Sequence, residues 1–70
     1  MNLPEKLADE IIRVSRLCAQ YEELRGKPNV NVEPVILMMT VSLDKSVKAI
    51  GSGDIEQQIR AVKDLEGFTG

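Results

Sequence analysis

From Val35 to Val41 the chain reads Val35, Ile36, Leu37, Met38, Met39, Thr40, Val41, an apolar run broken only by a threonine. It is far too short to span a bilayer, which takes about 20 apolar residues. As a helix it is apolar around its whole circumference, and such a helix must be covered on every side. One neighbouring helix covers one side. The run therefore predicts a homo-oligomer whose interface uses Val35, Ile36, Leu37, Met38, Met39 and Val41. The two adjacent methionines suit an adaptable contact.

The size of the chain points the same way. Seventy residues make one domain, 1–70. Below roughly 70–80 residues a single core rarely supplies more than about 3–5 kcal/mol unless something staples it. Cys18 is the only cysteine, so no intrachain disulfide can form. There is no histidine, and one thiol cannot build a tetrahedral zinc site. Self-association is the staple left, and no metal or cofactor is expected.

The flanking sequence reads as helix. Leu7, Ile11, Val14, Cys18 and Tyr21 recur in steps of four and three, the period of a helical stripe, with Leu17 and Leu24 beside it and Ile12 off it. Pro4 suits a first-turn position. This predicts a helix from about Pro4 to Arg25, with Gly26 just past its end. The connection Gly26-Lys27-Pro28-Asn29-Val30-Asn31-Val32-Glu33 is rich in turn formers, and its two valines are expected to pin it to the helices. A second helix is predicted from Pro34 to Ile50, with Leu43, Val47 and Ile50 inward and Asp44, Lys45 and Lys48 outward. Gly51-Ser52-Gly53 breaks the chain. Asp54 then caps a third helix running to about Glu66, with Gln57 at capping-box spacing. Its stripe is Ile55, Ile59, Val62 and Leu65, and Gly67 and Phe68 close its end. Lys6–Glu10, Asp9–Arg13, Glu56–Arg60 and Arg60–Asp64 are candidate i,i+4 ion pairs. The fold class is all-α: a helical hairpin plus a short third helix.

The residues argue against catalysis. Cys18 has no histidine to activate it and falls on the apolar stripe, as a small buried hydrophobe would. The acid pairs Asp9/Glu10 and Glu22/Glu23 are adjacent on helices and do not face each other. Gly51-Ser52-Gly53 ahead of a helix has the look of an anion cradle, but it lacks phosphate-loop spacing and a lysine, and Asp54 would repel the anion. A helix–helix turn explains it better. The net charge is −2, whereas a binder of DNA or RNA polymers is expected to be basic. No signal-peptide pattern is visible at the start of the sequence, and a cytoplasmic location is expected.

One set of polar residues has a binding chemistry. Arg13, Arg16 and Gln20 share a helical face. Tyr21, Arg25 and Lys27 fall near the hairpin bend, beside Asn29 and Asn31. Together they offer phosphate donors, a ring for stacking and amides for base edges. The plainer alternative is a solvated charged face with Tyr21 in the core. Thr40, alone in the apolar run, either bonds back to its own helix or reaches a ligand at an interface.

The stretch from Tyr21 to Phe68 resembles the short hairpin domain of phage anti-defence sponge proteins. The marks are the PNVNVEP bend, the MMTVSLD helix and the closing DLEGF. Members of that family blunt two bacterial immune systems, cyclic-oligonucleotide signalling (CBASS) and Thoeris signalling. The resemblance implies an oligomer, often a hexamer, with ligand pockets where protomers meet. It implies sequestration of a small anionic nucleotide signal in the host cytoplasm without cleavage. Thr40 is the position it carries over most directly. Arg16, Tyr21, Arg25, Lys27, Asn29 and Asn31 complete the candidate ligand set by residue type. Two other readings stand beside it. One is a protein-interaction module without a small-molecule ligand, which needs only the apolar run. The other is a sporulation-type phosphatase hairpin with an SxxxD motif, whose nearest match is Thr40-Val41-Ser42-Leu43-Asp44.

Overall fold

The computed structural model describes residues 2–69, and these contain three helices and no strand. They are α1 (Leu3–Glu23), α2 (Glu33–Ser52) and α3 (Ile55–Glu66). α1 and α2 form an antiparallel hairpin, and α3 folds back so that every pair of helices packs. No helix among the described residues is long and apolar enough to cross a membrane.

Local chemistry sets the ends of each helix. The Asn2 side chain accepts from the Glu5 amide at 2.8 Å and caps α1, a start the apolar periodicity did not reveal. Pro4 and Pro34 both sit in first turns, where a missing N–H costs nothing. α2 runs two residues beyond the expected Ile50, through Gly51 and Ser52, and stops at Gly53, whose φ of +70° is left-handed. Asp54 caps α3 as expected, accepting from the Glu56 and Gln57 amides at 2.9 and 3.3 Å. Gly67 is not a left-handed terminator: its φ is −69°. The end of α3 is held from outside instead. The Arg13 guanidinium on α1 donates to the Leu65 and Phe68 carbonyls, both at 2.8 Å. Phe68 is half-buried against the core.

Leu7, Val14, Leu17, Met39, Ala49, Ala61, Val62 and Leu65 form the core. Ile11, Cys18 and Tyr21 pack at its edge. The inward face of α2 differs from the expected one. Ser42, Ser46 and Ala49 are buried, Leu43 is half-buried, and Val47 and Ile50 are exposed. The reason is close packing. The Ser46 hydroxyl donates to the Ser42 carbonyl at 2.7 Å, which leaves a small, self-satisfied side chain that lets neighbouring helices approach. On α3, likewise, Gln58 and Ala61 face inward with Val62 and Leu65, while Ile55 and Ile59 are exposed. The Gln58 amide donates to the Ala49 carbonyl at 3.3 Å, which ties α3 to the end of α2. None of the expected i,i+4 ion pairs closes among the described residues. Glu10 pairs with Arg13 instead, at 2.8 Å, and Asp44 with Lys48 at 3.0 Å.

Candidate functional site: the hairpin bend and the outer face of α2

Two successive turns build the bend. In the first, the Lys27 amide donates to the Leu24 carbonyl at 3.2 Å, with Gly26 at φ +86°. In the second, the Val30 amide donates to the Lys27 carbonyl at 3.4 Å, with Pro28 and Asn29 between them and Asn29 at φ +64°. Proline followed by a positive-φ residue is the pattern of a type II turn, and asparagine is one of the few side chains that tolerate that backbone. The residue read as a base-edge contact therefore has a conformational task of its own. Val32 is buried and anchors the end of the bend, while Val30 is exposed.

The bend gathers part of the candidate set. Lys27, Asn29 and Asn31 are exposed, and Tyr21 is half-buried at the core edge. Arg25 is already engaged: Nε contacts a Glu33 carboxylate oxygen at 2.9 Å, and Nη2 contacts Glu22 at 3.4 Å. Both pairs are solvent-exposed, so they contribute at most about 1 kcal/mol each. An incoming phosphate could displace them at little cost, although Glu22 and Glu33 would then sit beside it. Among the described residues Lys27 has no ion pair, which makes it the readiest cation at the bend.

The other candidates lie elsewhere. Arg16 is five residues before Tyr21, about 7.5 Å along the helix axis and well round the cylinder. With Asp9, Ile12 and Gln20 it lines a shallow depression of about 520 Å³ on α1. Arg13 borders the same depression, but its guanidinium is committed to Glu10 and the end of α3. Thr40 is exposed on α2, and its hydroxyl donates back to the Ile36 carbonyl at 2.8 Å. The SxxxD-like stretch assembles no reactive group: Thr40 is back-bonded, Ser42 is buried, and Asp44 is paired with Lys48. Cys18 is half-buried. Among the described residues no three acidic or cysteine side chains gather closely enough to hold a metal ion.

Beside the bend stands an apolar surface. Leu37, Met38 and Val41 are 64%, 59% and 44% exposed. They share the side of α2 turned away from the core, because Ile36 and Met39 take the inward positions. This corrects the interface drawn from the sequence. Ile36 and Met39 are buried within the chain and Val35 is half-buried, so only Leu37, Met38 and Val41 remain for a partner. Comparison with protein families, with curated proteins and with solved structures finds no match to this chain, and the resemblance to sponge hairpins rests on its sequence marks alone.

Proposed function

We propose that the chain is a non-catalytic helical binding module that assembles with copies of itself through the outer face of α2. The observation that carries this reading is the trio Leu37, Met38 and Val41, three large apolar side chains on one helical face left exposed by the described residues. Lone exposed apolar residues are ordinary, but a contiguous group points to an interaction surface. A second reading deepens the first: the assembly sequesters a small anionic nucleotide without cleaving it. It is favoured by the exposed Lys27 and Asn31 and the half-buried Tyr21, at the same end of the hairpin as the uncovered face. Symmetry would multiply those few cations at the point where chains meet. Native mass spectrometry, with and without a panel of cyclic nucleotides and cyclic ADP-ribose derivatives, tests both. Self-association requires a multimer of defined stoichiometry, and sequestration requires whole ligands bound per multimer and recovered intact after denaturation. A stable folded monomer overturns the first reading. A multimer that takes up no ligand overturns the second alone.

A further inference from the structure

The C-terminal half of α2 and the length of α3 enclose a groove of about 610 Å³. Its floor is Ser46, Ala49 and Ala61, all small and buried, and their size is why a depression exists there. Its rims carry long cationic side chains, Lys45 and Lys48 from α2 and Arg60 from α3. The amide of Gln57 and the carboxylate of Asp64 complete the α3 wall. Lys48 is held by Asp44 at 3.0 Å on its own helix. Among the described residues neither Lys45 nor Arg60 has an ion pair. The chain as a whole carries a net charge of −2, yet this groove sets three cations against two carboxylates, Asp64 on its wall and Asp44 beside Lys48. Like charges around one depression repel, and an anion placed among them turns that repulsion into attraction.

We propose that this groove binds a small ligand bearing two linked phosphate groups. Arg60 presents a planar fork that matches a phosphate with two parallel hydrogen bonds. Lys45 supplies a point charge from the opposite wall. Lys48 exchanges Asp44 for the ligand, because an exposed lysine–carboxylate pair is weak and easily traded. The Gln57 amide adds a neutral donor, and the alanine floor accepts the uncharged body of the ligand. The volume falls in the range of about 300–1,000 Å³ usual for small-molecule sites. Asp64 lies one turn beyond Arg60, at the Lys45 end of the groove, and repels an anion there, so it steers the phosphates toward Arg60, Lys48 and Gln57. Sequence spacing alone does not reveal the cluster, because it depends on the register of α2 against α3. The site lies within one chain, so it stands or falls independently of self-association and of the bend.

The test is a titration of the full chain with inorganic pyrophosphate, followed by amide chemical shifts and by calorimetry. Saturable shifts are expected at residues 45–49 and 57–64. Arg60→Ala and Lys45→Ala should each weaken binding by about tenfold or more, the usual loss for a charged hydrogen bond. Asp64→Asn should tighten it, and Lys63→Ala, an exposed cation outside the groove, should leave it unchanged. Orthophosphate should bind more weakly than pyrophosphate. The proposal is overturned by the absence of saturable binding in the millimolar range. Shifts centred on residues 25–31, or an equal loss with Lys63→Ala, overturn it as well.

Discussion

Arg13 holds three parts of the molecule with one side chain. Its guanidinium pairs with Glu10 and donates to the Leu65 carbonyl in the last turn of α3 and to the Phe68 carbonyl just past it. The Leu65 carbonyl also accepts from the Phe68 amide at 3.1 Å, and a cation at this end of α3 meets the negative end of the helix dipole. Glu10 is buried and relies on Arg13 for its ion pair. We predict that Arg13→Ala destabilises the protomer by about 2 kcal/mol, after allowing for the partial exposure of the guanidinium. Arg13→Lys should recover less than half of this, since a lysine cannot serve two carbonyls and a carboxylate in a fixed fork. Urea unfolding monitored by circular dichroism measures both. Asn29 gives a second test. Its left-handed backbone predicts that Asn29→Ala costs about 1 kcal/mol while Asn29→Gly is nearly neutral. If Asn29 also reads a base edge, Asn29→Gly should abolish nucleotide binding in a protein of unchanged stability.

Among the elements, α3 is the shortest and depends most on its cap. Asp54 accepts from two of its first amides, so Asp54→Ala should cost about 1 kcal/mol. Amide exchange should then quicken in residues 55–58 before the hairpin is affected, because helices lose order first at unprotected ends. The three helices and this cap were legible in the sequence because periodicity and capping are local. The inward face of α2 was not. Leu43, Val47 and Ile50 satisfy the helical period, but Ser42, Ser46 and Ala49 satisfy the space between α1 and α3, and proximity to a third helix decides between them. The candidate site divides in the same way. Tyr21, Arg25, Lys27, Asn29 and Asn31 are legible as neighbours because the chain joins them across one bend. The neutralisation of Arg25 by Glu33 is not legible in the spacing, because that pair closes across the loop.

The whole molecule is a rod of 42 × 19 × 16 Å with a radius of gyration of 13.0 Å. A compact chain of this length would have a radius near about 11 Å. Its surface is 4873 Å², where a globular protein of its mass exposes about 4,400 Å². The excess has a structural origin. α3 has 12 residues and α2 has 20, lengths of about 18 and 30 Å, so the end of the hairpin near the bend extends past the third helix. That end carries Leu37, Met38 and Val41, and a second copy laid against it would remove the surface the third helix leaves open. Binding a partner only in the folded state raises apparent stability by mass action. We therefore predict that the thermal midpoint rises with protein concentration. The variants Leu37→Asp and Met38→Asp should lose that dependence. Both positions are exposed in the protomer, so the aspartates remain solvated there and the helical circular dichroism signal should persist at low temperature. In the assembly the same aspartate would be buried without a partner, at a cost of several kcal/mol, and sedimentation should show monomer alone. A wild-type midpoint that does not change with concentration would reject the outer face of α2 as an interface between copies.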